Sequence, residues 1–147
     1  MRLPLASVAV AVAALTPVAL AAPADASSAV RFAKIQYNSP GTDNRSNSSL
    51  NAEWVTITNH ASTRRTLTGW TLRDASGHVY RFPTFGLAAG SSVRVHTGTG
   101  SNGTYNLYWR ASNYIWNNSG DKATLKNSAG TTLDTCSWGS GSGSVYC

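Results

Sequence analysis

From residue 28 onward, apolar positions recur at every second residue and no window sustains an i, i+3, i+4, i+7 stripe, which predicts an all-β domain. In EWVTITN, Glu53, Val55 and Ile57 share one face, with Trp54, Thr56 and Thr58 on the other. TLTGWTLRD places Trp70 with Leu72 and turns Thr71 and Arg73 the opposite way. A turn at Asp74-Ala75-Ser76-Gly77 leads back through HVYRFP, where Tyr80 and Phe82 share a side and Pro83 stops the strand. Val93 and Val95 alternate with Arg94 and His96. Near the start, Val30 and Phe32 are followed by Ile35 and Tyr37, a parity shift that predicts a bulge at Ala33-Lys34. The polar stretch from Asn38 to Asn51 reads as a connection, and KATLK and TTLDTCSW supply two closing strands. About eight short strands, with turn signals every 8 to 12 residues or so, form the pattern of a two-sheet β-sandwich.

The first residues break this pattern. One cation at Arg2, an apolar run through Ala22 and the triplet Ala24-Asp25-Ala26 read as a secretory signal over residues 1–26, with cleavage before Ser27. Pro4 and Pro17 interrupt the run, which argues against a membrane anchor, and no later stretch is apolar enough to span a bilayer. The expected product is a secreted or extracellular protein, free or associated with the cell envelope, with a domain over residues 27–138 and a Gly/Ser tail over residues 139–147. Losing the signal removes Arg2 and Asp25 and leaves the formal charge at +6. A basic exported domain suits anionic partners, although scattered cations also simply keep such a domain soluble. The two cysteines, Cys136 and Cys147, fall at the C-terminal end. An intramolecular disulfide that clasps the tail to the last strand is expected. The alternatives are an intermolecular bridge or a metal pair, and the latter lacks further Cys or His ligands at zinc spacing.

Candidate chemistry centres first on IWNNSGDKATLKNSAGTTLD, residues 115 to 134. A Ca²⁺ loop needs several converging carboxylates, and this stretch holds Asp121 and Asp134 alone. Hairpin turns explain it better, with glycines at φ > 0 positions and Asp121 accepting backbone N–H bonds. The other acids after the signal are Asp43, Glu53 and Asp74. Glu53, on the face of Val55 and Ile57, is expected to be a buried hydrogen-bond acceptor, and no second carboxylate can be nominated to face it across a cleft. His60, His78 and His96 fall in or beside turns without metal spacing, and no nucleophile elbow or phosphate loop is present. No catalytic residue, metal or cofactor is therefore expected.

Two candidate binding surfaces remain. Alternation directs Arg73, Arg81, Arg94, Lys122 and Lys126 outward, and if their strands share a sheet they form a stripe able to contact phosphates. Tyr105, Tyr108 and Tyr114, close to Trp109 and Trp116, offer a surface for stacking on sugars or unpaired bases. The competing readings are an ordinary solvated sheet face and a set of rings that fill or cover the core.

The ordered series EWVTITN, LTGWTLRD, YRFP, VRVHTGTG and IWNNSGDKATLKNSAG resembles the lamin tail domain family over about residues 28 to 138. The resemblance implies an immunoglobulin-like β-sandwich, in agreement with the strand pattern, and it suggests a stand-alone bacterial secreted type. It does not imply a filament role, because the sequence shows no heptad rod. A non-catalytic exported interaction module is expected, monomeric, binding a protein, a cell-envelope polymer or nucleic acid. The alternatives are an accessory to a secreted hydrolase or nuclease with an unrecognised site, and a structural envelope-associated protein.

Overall fold

The computed structural model describes residues 9–15, 17 and 28–147. The expected signal and its cleavage point lie outside the described residues, apart from residues 9–15 and 17, which carry no secondary structure. The elements run β1 (Val30–Gln36), α1 (Asn47–Asn51), β2 (Trp54–Asn59), β3 (Arg65–Thr66), β4 (Thr71–Arg73), β5 (Val79–Arg81), β6 (Gly86–Leu87), β7 (Ser92–His96), β8 (Asn106–Tyr108), β9 (Gly120–Lys126), β10 (Thr132–Gly139) and β11 (Ser144–Tyr146). They assemble into a five-stranded sheet, β11-β1-β2-β7-β8, a four-stranded sheet, β10-β9-β4-β5, and a small β3-β6 ribbon. The short β3, β6 and β11 strands raise the count above the eight or so expected. Pairing is antiparallel except between β7 and β8.

Period-two alternation places the core between the two main sheets. Ile35, Val55, Ile57 and Val93 from one sheet meet Leu72, Ala123 and Leu125 from the other, all essentially inaccessible to water. The β1–β2 register shifts between Phe32 and Lys34, and this bulge lets Val30 and Phe32, then Ile35 and Tyr37, all point inward. Trp109 and Trp116 join the core rather than an exposed patch. Rings form a continuous row across the sandwich, with Tyr37 stacked on Trp138, Trp138 edge-on to Trp116, Trp116 edge-on to Trp109, and Trp109 tilted against Tyr80.

The polar Asn38–Asn51 segment is not only a connection. Ser46 accepts a bond from the Ser49 N–H at 3.1 Å and caps α1, while Leu50 is buried in the core. At the other end, Cys136 and Cys147 are bonded to each other. The clasped tail adds an edge strand to β1, with Lys34 opposite Tyr146 and Gln36 opposite Ser144. The disulfide therefore ties β10 of one sheet to a segment paired with the other. Among the described residues no helix is long and apolar enough to cross a membrane.

Candidate functional site

The outward cations divide between the two sheets. Arg73 on β4, Arg81 on β5, and Lys122 and Lys126 on β9 share the outer face of the four-stranded sheet. Register aligns Arg81, Thr71, Lys126 and Thr132 in one row, Val79, Arg73, Thr124 and Thr135 in the next, and Lys122 beside Ser137. These rows hold no carboxylate. Thr71 is buried despite its outward parity, flanked by the long side chains of Arg81 and Lys126. Among the described residues the one ion pair joins His78 to Asp74 at 2.5 Å, so no lysine or arginine there is paired.

Arg94 departs from the expected stripe. It lies on β7, on the outer face of the five-stranded sheet, with its guanidinium 3.7 Å from the centre of the Trp54 ring. The same face carries Lys34 over Tyr146 at 4.6 Å and His96 stacked on Tyr108 at 5.1 Å. The three tyrosines do not form one surface either. Tyr105 is exposed beside β8 and Tyr108 is half-buried against His96, whereas Tyr114 turns to the end of the sandwich, its hydroxyl 2.6 Å from Ser49 Oγ.

The 115–134 segment behaves as hairpin hardware. Asp121 accepts bonds from the backbone N–H groups of Ala75 and Asn117, at 2.9 and 3.0 Å. Asn127 accepts from Ala129 and Thr131 across the β9–β10 turn, where Gly130 has φ +82°. Asp134 accepts from the Phe32 N–H at the β1 bulge. Asp74 accepts from the Ser76 and His78 N–H groups and from the His78 ring. Sequence reading passed over this Asp-x-x-x-His pair, although its spacing within one turn was the available signal.

Glu53 is the most constrained acid. It is 1 % exposed, and its Oε1 accepts from the Thr97 hydroxyl at 2.7 Å, the Ile115 N–H at 2.8 Å and the Trp116 N–H at 3.2 Å. Burial pushes its pKa up to about 7, opposed by these three donors and reinforced by the charge of Asp43. Glu53 also lines a cavity of about 360 Å³ at one end of the sandwich, where the β1–β2 connection, the β4–β5 turn and the β8–β9 loop converge. Asp43, His78, Tyr114 and Trp116 line it as well. Asp43 is the second carboxylate that sequence reasoning could not nominate; it sits ten residues from Glu53 in the chain and comes near only through folding. Among the described residues no cluster of three or more His, Cys, Asp or Glu side chains is placed to hold a metal ion.

Two packed sheets with loops gathered at their ends define an immunoglobulin-like β-sandwich, a class that presents sheet faces and end loops to its partners. The chain belongs to the Lamin Tail Domain family, whose family model matches residues 23–140. That family is one of non-enzymatic immunoglobulin-like domains, and membership supports an interaction module. No curated protein matches the chain.

Proposed function

We propose that the protein is an exported, non-catalytic interaction module that docks on an anionic polymer, an envelope polyanion or nucleic acid, through the outer face of its four-stranded sheet. The observation that carries this reading is the group of Arg73, Arg81, Lys122 and Lys126 on one face, with no ion pair to any of them among the described residues. Uncompensated cations displace condensed counterions when they meet closely spaced phosphates, so affinity comes with a steep salt dependence. The disulfide is compatible with an extracellular setting.

The test is binding to a random-sequence DNA duplex and to a teichoic-type polymer at two salt concentrations. Four phosphate contacts at about −0.9 each predict a log–log slope near −3.6 on the duplex, or roughly a hundredfold loss of affinity for a fourfold rise in salt. An Arg81→Gln/Lys126→Gln double variant is expected to make the slope shallower by about 2. Affinity indifferent to salt, or a double variant with the native slope, overturns the reading.

One observation favours a second reading, a hydrolase or nuclease accessory: Glu53, Asp43 and His78 line one cavity. Proton transfer, however, needs a base and an acid in reach of one another. The His78 ring is bonded to Asp74, Glu53 Oε1 is held by three donors, and no hydrogen bond joins His78 to Glu53 among the described residues. The interaction reading therefore stands first.

A further inference from the structure

The cavity at the end of the sandwich stands apart from the basic sheet face. Of the five carboxyl side chains in residues 28–147, those of Glu53, Asp74, Asp121 and Asp134 each accept backbone N–H bonds, and Asp43 accepts none. Asp43 and Glu53 both line this cavity, and no lysine or arginine does. In a chain of net charge +6 that is unusual company, because four other surface clefts each have an arginine in their walls: Arg81 and Arg110, Arg64, Arg94, and Arg110 again.

The second observation concerns the two oxygens of Glu53. Oε1 takes all three hydrogen bonds and Oε2 takes none among the described residues, although the side chain is 99 % removed from solvent and lines the cavity. This oxygen opens on the cavity and meets no protein donor, so its pairing is left to a proton, water or a cation that enters there. We propose that this cavity binds one organic cation, a primary ammonium group on an alkyl chain, with the ammonium between Glu53 Oε2 and the Asp43 carboxylate and the chain against Tyr114 and Trp116.

The oxygen count selects the cation. A guanidinium engages both oxygens of one carboxylate in a fork, and Glu53 Oε1 is already committed to three donors. An ammonium is a point charge with three donors and can meet a single free oxygen on each of two carboxylates. Tyr114 and Trp116, both in the wall, supply aromatic carbon for the methylenes. A volume of about 360 Å³ admits a small amine or one lysine side chain.

Proton and ammonium compete for Oε2. The group ionises near pH 7 in the free protein, so the competent fraction drops about tenfold from pH 8 to pH 6. Asp43, His78 with its partner Asp74, and Tyr114 are the other ionisable groups at the cavity wall, and Arg45 and Arg110 lie on the same loops outside it. His78 is the one basic side chain in the wall, and a His78→Gln variant separates its share.

The experiment is titration of the whole protein with n-butylammonium at constant ionic strength, read from the amide NMR signals of Ile115 to Ser119, with n-butylguanidinium and n-butanol as controls. The expected result is saturable binding of n-butylammonium at pH 8, weaker binding of the guanidinium and none of the alcohol. Affinity should fall about tenfold at pH 6, and most of that fall should persist in His78→Gln. Glu53→Gln keeps an amide oxygen for the three donors and should lose both the affinity and its pH dependence. Asp43→Asn, a change in an exposed loop, should weaken binding severalfold and serves as the test if Glu53→Gln fails to fold. A blocked lysine tripeptide binding as tightly as n-butylammonium assigns the site to protein side chains; a peptide that binds more weakly assigns it to free amines. Equal shifts with n-butanol, the absence of saturation, or native affinity in Asp43→Asn overturns the proposal.

Discussion

The Glu53 carboxyl enters the fold with one oxygen ringed by donors and the group almost wholly removed from water, and burial pushes its pKa up to about 7 from 4.5. The folded state therefore holds this proton more tightly than the unfolded chain does. Its contribution to stability is fully present below pH 4.5, shrinks between 4.5 and about 7, and is gone above, a change of about 3 kcal/mol. Urea unfolding across this range should show that slope in the native protein and lack its share in Glu53→Gln. Glu53→Ala, in contrast, orphans the Thr97, Ile115 and Trp116 donors and should cost about 3 kcal/mol or more at any pH in the window. Tyr80 offers the opposite case. Its hydroxyl is buried without a partner, and burial pushes its pKa up to about 12 against the pull of Arg110. Tyr80→Phe removes the unsatisfied group and keeps the ring packed on Phe82 and Trp109, so the midpoint of unfolding should rise, by about 1 kcal/mol in stability. At this scale the sequence revealed that Glu53 is inward, because parity is local. It could not reveal what Glu53 holds, since Thr97 and Trp116 are 44 and 63 positions away.

Among the elements, those written in period two were legible and those that depend on distant pairing were not. The β1 bulge followed from two apolar pairs out of phase, and the hairpin around Gly130 from its turn residues. α1 escaped notice because its five residues contain a single apolar side chain, Leu50, whose burial comes from the rest of the fold. Ser46→Ala should still cost about 1 kcal/mol through loss of the cap. The tail strand β11 escaped because the Gly/Ser composition around it reads as a linker, and its place beside β1 is enforced from outside by the bond between Cys136 and Cys147. Cutting that bond releases the tail from a closed loop of about a dozen residues, which should lower stability by about 2 to 3 kcal/mol. Hydrogen exchange on the native and Cys136→Ser/Cys147→Ser proteins checks the mechanism. Protection should fall at Tyr37 and Asn38, whose N–H groups bond the Gly143 carbonyl, and persist at Val55 and Val95 in the sheet interior.

Across the whole molecule, alternation fixed which cations face outward but not which sheet carries them, because strand order is a property of the closed sandwich. Arg94 reads like Arg73 in the chain and lies on the opposite face in space. The convergence of Asp43, Glu53 and His78 at one end has the same origin, three loops brought together by sheet topology. Charge is thereby sorted over the surface, with unpaired cations on the sheet faces and the cavity's carboxylates at one end. Exposed charges separated by more than about 10 Å are largely screened near 0.1 M salt, and Arg81 and Lys126 lie in the row farthest along the strands from the cavity's loops, so they and the cavity should act independently at physiological ionic strength. Arg81→Glu/Lys126→Glu should therefore abolish polyanion binding and leave the pH dependence of n-butylammonium binding in place. Asp43→Asn should do the reverse, leaving the salt slope on the DNA duplex unchanged. If either variant moves both measurements equally at 0.15 M salt, the sheet face and the end cavity form one electrostatic surface, and a single polymer carrying both charges becomes the better description of the partner.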